Sequence, residues 1–189
     1  MAEIDRLLVG FLVDEVVGGF FISVPPGHVA CVYDRGYGIL KKIWGPGLHL
    51  KIPFWQVVKL FNAQTLEYGI RKGFNVRAEP EVLGDEPILT STKDGKQVNV
   101  EGTLLFRVDK ENVTELWENI GENFVSKIVR PVSRSRVRSV LADFTADEVV
   151  TTRRALVESR IKEEIAKVLS EKGLIVEGML LSDVRLATD

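Results

Sequence analysis

Two stretches with helical periodicity dominate the second half of the chain. Apolar residues recur three or four positions apart in 122–144, where Pro131 lacks an N–H donor and is expected to kink the helix or to begin a new segment. A second helix is predicted over 145–172, because Thr145 is followed three residues later by a glutamate, as in a capping box, and Gly173 suits the left-handed end of a helix. The side of this helix predicted to face the core or a partner comprises Val149, Val150, Leu156, Ile161, Ile165, Val168 and Leu169.

Short strands separated by tight turns are predicted before these helices. The clearest hairpin joins residues 88–92 to 97–108 through Asp94-Gly95, a strong turn signal, and Leu105 interrupts the alternation of the second strand so that a bulge is expected near Gly102. The core face of that strand is predicted to carry Val98, Val100, Leu104 and Phe106. The remaining predicted strands are 28–33, 48–52, 57–61, 65–70 and 174–186, and 65–70 is expected to pair beside 57–61.

The order of these elements predicts the fold class. A loop is expected over 71–85 and a short helix over 111–120, and the last strand follows the two long helices. Strands followed by helices and one returning strand are typical of an α+β domain, with an antiparallel sheet and segregated helices. We therefore expect one such domain over residues 25–187, preceded by a hydrophobic segment at 1–24.

The segment from Leu7 to Val24 is about long enough to cross a bilayer, but Asp14 and Glu15 lie in its middle. Three interpretations remain: an amphipathic helix packed on its own domain, a monotopic segment in one leaflet, or a span whose acids are shielded by neighbouring copies. Membrane contact, peripheral or through a single span, is favoured because exposing so many large apolar side chains to water is costly. The predicted membrane-contacting residues are Leu7, Leu8, Phe11, Leu12, Val16, Val17, Phe20 and Phe21.

Composition narrows the classes of function. The chain has 189 residues, 45% hydrophobic and 28% charged, as in ordinary folded proteins. Its net charge of −2 argues against a nucleic-acid binder, and the single cysteine excludes an intramolecular disulfide.

No catalytic chemistry is indicated by the remaining motifs. Cys31 and His28 are three positions apart, so they point to opposite faces of a strand, and Cys31 is interpreted as a buried structural residue. His49 lies between two leucines and is interpreted as a packed side chain. The pattern offers no metal ligand set, phosphate-binding loop or nucleophile, so we expect neither enzyme activity nor a cofactor.

A resemblance to a known family rests on several motifs in order. These motifs are Val24-Pro-Pro-Gly27, Gly45-Pro-Gly-Leu-His49 with Ile52-Pro-Phe54, Thr92-Lys-Asp-Gly95 followed by Val98-Asn-Val, Ile128-Val-Arg-Pro131, Phe144-Thr-Ala-Asp-Glu148 with Arg153 or Arg154, and Gly173-Leu-Ile-Val with Leu180-Leu-Ser-Asp-Val. With these motifs the chain resembles the SPFH, or band 7, family of the stomatin, prohibitin and flotillin superfamily. Within it, the chain is most similar to prohibitin-like members.

This resemblance implies an SPFH domain in a membrane-anchored scaffold that forms rings or cages around a membrane patch. Homo-oligomers or assemblies with a sister subunit are expected, with membrane lipids and a membrane-bound AAA protease as further partners. Relatives continue into a long coiled coil near the position of Asp189, so the sequence is expected to be either shortened or a short member. The alternative is a soluble adaptor with the same fold that binds a protein partner.

A basic face on the first long helix supplies the candidate assembly site. Residues 123–142 contain no acid, and arginines recur every fourth position. We expect this face to contact acidic side chains of a neighbouring copy, although a solvated face or a contact with anionic lipid is also compatible with the pattern. The predicted interface residues are Lys127, Arg130, Arg134 and Arg138 on one side and Glu158, Glu163 and Glu164 on the other.

Overall fold

A computed structural model describes residues 19–72 and 84–186. These residues form two compact units. The first comprises 19–64 and 110–114, and the second comprises 65–72, 84–109 and 115–186. The predicted membrane-contacting residues before position 19 lie outside the described part of the chain.

The first unit is built from two small antiparallel sheets. One pairs β1 with β4, and the other has the order β3-β2-β5. An isolated bridge between Ala30 and Trp44 holds the segment between β3 and β4 beside β2, with backbone hydrogen bonds of 2.8 and 2.9 Å. The central part of β2 is fully buried, including Cys31. The strands are β1 (Phe21–Val24), β2 (His28–Asp34), β3 (Gly38–Ile39), β4 (Gly47–Leu50) and β5 (Gln56–Asn62).

A five-stranded sheet forms the second unit, and its longest inner strand is β9. One side of β9 pairs with β10, and the other side pairs with β6 and β8, while β7 adds to β6 in parallel. The predicted core face of β9 is confirmed, because Val98, Val100, Leu104 and Phe106 are all buried. The strands are β6 (Leu66–Ile70), β7 (Gly84–Asp85), β8 (Ile88–Ser91), β9 (Gln97–Val108) and β10 (Leu174–Leu186).

The long helices of the second unit pack on each other, and the first also packs on β8 and the last on β10. Two π-helical turns, Val125–Val129 and Glu148–Thr152, each precede one of these α-helices. The buried stripe of the last helix consists of Val157, Ile161, Ile165 and Leu169, spaced four apart. The α-helices are α1 (Val113–Asn119), α2 (Arg130–Leu141) and α3 (Arg154–Ser170).

The local signals in the sequence are confirmed at several positions. A new helical segment begins next to Pro131, since the π-helical turn ends at Val129 and α2 begins one residue before the proline. The capping box forms, because the Thr145 amide donates to Glu148 Oε2 at 3.0 Å and the Glu148 amide donates to Thr145 Oγ1 at 3.4 Å. Gly173 follows α3 with a φ of 75°, as expected for a helix end. The predicted hairpin also forms between β8 and β9.

One expectation about strand pairing is wrong. Strand β6 does not pair with β5, which belongs to the first unit, but with β9 in its own unit, because pairing depends on tertiary packing that proximity in sequence does not fix. Leu156 is 53% exposed, and Val150 is also exposed, so of the two predicted alternatives these residues do not face the core, and the buried stripe runs through Val157 instead. The bulge expected near Gly102 does occur opposite this residue, but the extra residue lies in β10, which shifts register between Leu181 and Asp183.

The C-terminal end of the hydrophobic segment predicted at 1–24 lies within the described residues. Its last four residues, Phe21–Val24, form β1 and pair with β4. None of the helices in the described residues has the length and apolar character needed to cross a membrane.

Gly102 permits the close approach of β10 to β9. A Cβ placed on Gly102 would lie 2.6 Å from the backbone oxygen of Leu180, whereas one placed on Gly178 would meet Leu105 Cδ1 at 3.8 Å, an ordinary contact. We predict that Gly102→Ala lowers the free energy of unfolding by about 1–3 kcal/mol, because the backbone of β10 must move. Gly178→Ala is the matched control. Equal denaturation midpoints for the two variants would contradict this role of Gly102.

Candidate membrane-contacting surface and assembly face

Large apolar side chains are exposed in the first unit to an unusual degree. Phe54 is 82% exposed and Leu48 is 69% exposed, and four neighbours in sequence or strand pairing are about half exposed or more. We call the set the apolar surface: Phe21, Leu48, Leu50, Ile52, Phe54 and Trp55.

The pairing of β1 with β4 explains why part of this surface faces outward. Phe21 lies opposite Leu50, and Ser23 lies opposite Leu48, so the two leucines and Phe21 lie on one face of the strand pair. His49 points the other way, where its ring stacks on Trp44 with centroids 5.0 Å apart and its Nε2 lies 2.7 Å from the Gly45 oxygen. The interpretation of His49 as a packed side chain is therefore confirmed.

The loop after β4 carries the rest of the apolar surface. The Lys51 amide donates to the Phe20 oxygen at 2.8 Å, and the Ile52 amide donates to Gln56 Oε1 at 3.0 Å. Phe54 has a left-handed φ of 62°. This conformation costs a non-glycine residue about 1–3 kcal/mol and persists only where the surrounding structure imposes it. The surroundings thus hold a bulky aromatic ring in an unfavourable backbone conformation while leaving the ring in solvent.

Asp34 holds this loop in place through hydrogen bonds. This buried carboxylate accepts hydrogen bonds from Gln56 Nε2 at 3.0 Å and Trp55 Nε1 at 3.1 Å, and from the amides of Gly36 at 2.9 Å and Tyr37 at 3.2 Å. The hydrogen bond from Gln56, followed by that from Gly36, lowers the pKa of Asp34 despite its burial. An ionised Asp34 therefore orients the indole of Trp55 and, through Gln56, the backbone at Ile52.

Only part of the predicted membrane-contacting set falls in the described residues. Phe20 and Phe21 are 39% and 48% exposed. A Cβ placed on Gly19 would lie 3.5 Å from that of Pro53, so the chain arriving from the N-terminal segment passes beside the apolar loop. The five other members of the apolar surface were missed by the sequence analysis, although the alternation of Leu48, Leu50 and Ile52 before Pro53 was a usable signal.

Two arginines of the candidate assembly face form ion pairs within the chain. Asp85 accepts from Arg130 Nε at 2.7 Å and from Arg134 Nη1 at 3.1 Å, and Arg134 also donates to the Glu86 oxygen at 2.9 Å. Burial alone raises the pKa of Asp85, but the hydrogen bond from Arg130 and the other favourable contacts outweigh it, so the pKa lies below its usual value. Beside this cluster, burial and then the charge of Asp85 raise the pKa of Tyr68 to about 12.

The other two basic residues differ from this pair. Lys127 Nζ donates to the Ile120 oxygen at 2.6 Å. Arg138 is exposed, and none of the acids in the part of the chain that the structure describes forms an ion pair with it. Arg138 is thus the basic residue of this face whose charge is most available to a second molecule.

The predicted acidic partners lie along α3 and also have contacts in the chain. Glu158 Oε1 accepts from the Leu181 amide at 3.0 Å and lies 3.5 Å from Arg154 Nε. Glu164 lies 2.8 Å from Lys167 Nζ, whose hydrogen bond lowers its pKa, and the side chain of Glu163 is 59% exposed. These contacts do not test a contact between copies, so the assembly face stays a prediction.

Cys31 is confirmed as a buried residue, and burial raises the pKa of its thiol to about 11. Such a thiol stays protonated at neutral pH and is a poor nucleophile. Across residues 19–72 and 84–186, no cluster of three or more histidine, cysteine, aspartate or glutamate side chains is arranged to hold a metal ion.

Comparison with known proteins identifies the family. Residues 22–189 match the SPFH domain / Band 7 family. Prohibitin 1 of Gallus gallus is 27% identical over 88% of this chain and 55% of its own length. Prohibitin 1 of Drosophila melanogaster is 25% identical over 88% and 54%, and the protein named Prohibitin-1, mitochondrial of Arabidopsis thaliana is 24% identical over 79% and 45%.

The chain spans about half the length of the curated relatives it matches. The family match, however, covers nearly all of the chain and includes both units of the fold. The resemblance carried by the sequence motifs is thereby confirmed, and the chain belongs to the SPFH domain / Band 7 family.

Proposed function

We propose that this protein is a membrane-associated, non-enzymatic scaffold whose copies assemble side by side into rings or cages. Such an assembly organises a patch of membrane and regulates membrane-bound AAA proteases. Membership of the SPFH domain / Band 7 family supports this proposal. The apolar surface of the first unit is the observation that carries it.

An apolar surface of this kind is unusual on a soluble monomer. Contiguous exposed apolar patches larger than a few hundred Å² generally mark sites of contact with proteins or membranes. Burying one large apolar side chain stabilises by roughly 1.5–3 kcal/mol, so a few residues such as Leu48 and Phe54 provide substantial attachment. Trp55 exposes its ring while its indole N–H donates to Asp34, which suits a side chain at a boundary between water and lipid.

The N-terminal segment provides a second attachment in this proposal. Its predicted contacts run from Leu7 to Phe21, and the described end of the segment passes beside Pro53 in the apolar loop. Two attachments on one chain reinforce each other, because the second binds at the high effective concentration set by the first. The apolar surface then enters the same leaflet that receives the segment.

We predict that Leu48→Ser/Phe54→Ser in the full chain reduces co-flotation with vesicles by at least about tenfold, because two exposed apolar anchors are lost. The measurement is the bound fraction as a function of lipid concentration. The matched control is Leu89→Ser/Leu186→Ser, which changes residues of the second unit that are 51% and 52% exposed. Equal loss in both variants would remove the special role of the apolar surface, and an unmodified chain that does not float would favour a soluble adaptor.

Assembly through α2 and α3 is the second part of the proposal. We predict that Arg138→Glu converts large assemblies into small ones, because it places an acid opposite the acids of a neighbouring copy. Arg138 is a cleaner target than Arg134, whose removal also deprives buried Asp85 of a partner.

Sedimentation velocity of the detergent-extracted protein measures this change. Lys110→Glu makes the same reversal of charge at an exposed residue outside α2 and α3, and it should leave the assemblies intact. If Arg138→Glu sediments like the unmodified protein, the basic face is not an intersubunit contact.

A further inference from the structure

Basic charge is concentrated in the same stretch that carries the apolar surface. Residues 19–64 contain five lysines and arginines against one acid, Asp34, a net charge of +4, whereas the whole chain carries −2. Asp34 is buried, so the charged side chains that this stretch exposes to solvent are basic. The solvent-exposed charge of residues 19–64 is therefore positive, although the net charge of the whole chain is negative.

Four of these basic residues are adjacent to the apolar surface or to the elements that support it. Lys51 lies between Leu50 and Ile52, and the Arg35 amide donates to the Trp55 oxygen at 3.1 Å. Lys41 and Lys42 are exposed on the segment that leads to Trp44, whose ring stacks on His49 behind the apolar face. We call Arg35, Lys41, Lys42 and Lys51 the basic rim.

None of the four rim side chains forms an ion pair within the described residues. The basic face of α2 is different, because Asp85 already binds Arg130 and Arg134. Long basic side chains extend their apolar stems along a hydrophobic surface while the charged heads remain in a polar layer. Basic side chains that start beside or behind the apolar surface can in this way keep their charges in the phosphate layer while the apolar surface enters the acyl region.

We propose that the first unit recognises an anionic bilayer, with the apolar surface in the lipid and the basic rim on negatively charged phospholipid headgroups. This inference rests on the proposed membrane attachment and adds a preference for one class of lipid. A basic residue close to an anionic membrane strengthens binding about fivefold, so a rim of four residues gives strong discrimination from a neutral membrane. An acidic protein would satisfy the charges, but a bilayer also satisfies the exposed Leu48 and Phe54.

The test compares the full chain on vesicles of phosphatidylcholine alone and on vesicles with about 30% phosphatidylglycerol, at about 0.1 M salt. The expected result is binding to the anionic vesicles at least about tenfold tighter than to the neutral ones. The triple variant Lys41→Gln/Lys42→Gln/Lys51→Gln should lose most of this preference for anionic vesicles and bind neutral vesicles as before. Its affinity for anionic vesicles should fall by at most on the order of a hundredfold, because each lysine contributes about fivefold.

The matched control removes three exposed lysines of the second unit, in Lys72→Gln/Lys93→Gln/Lys172→Gln, and should keep the ratio. Equal binding of the unmodified chain to both vesicles would overturn the inference while leaving the membrane proposal intact. The same loss of ratio in both triple variants would also overturn it, by showing a non-specific effect of total charge. Absence of binding to either vesicle would instead contradict the proposed function, and tight binding to a soluble acidic polypeptide without binding to vesicles would favour a protein partner.

Discussion

A buried carboxylate determines what the first unit can present to its surroundings. Asp34 ends β2, and its four hydrogen bonds join the turn at Gly36 and Tyr37 to the loop at Trp55 and Gln56. Without this acceptor the side chains of Trp55 and Gln56 would lose their partner, and the loop that holds Phe54 in its left-handed conformation would be less constrained. The exposed aromatic loop is therefore a consequence of a satisfied polar centre beneath it.

The second unit uses aspartates in the same way. Asp94, in the turn between β8 and β9, accepts from the Thr92 hydroxyl and from the Ala146 amide at the start of the helical region before α3. The hydrogen bond from Thr92 makes the largest contribution to lowering its pKa, to about 2. Asp85 joins the short strand β7 to α2 through Arg130. Each carboxylate thus fastens a turn or short strand to a distant element.

Sequence signals were sufficient where the cause is local. Asp94-Gly95 defined the hairpin, Thr145 the capping box and Gly173 the end of α3, because each acts within a few residues. The side-chain partners of Asp34 lie 21 and 22 residues away and those of Asp85 lie 45 and 49 residues away, so the sequence pattern alone did not reveal them. The pairing of β6 with β9 and the uncovered face of β4 also depend on packing that periodicity does not specify.

If the apolar surface enters the acyl region of a bilayer, the fluorescence of Trp55 reports the insertion directly. In a variant with Trp44→Phe and Trp117→Phe, Trp55 is the single remaining tryptophan of the sequence. Its fluorescence should shift to the blue on vesicle binding and be quenched by lipids brominated along the acyl chain. Bound protein whose Trp55 emission remains red-shifted and unquenched would contradict the account.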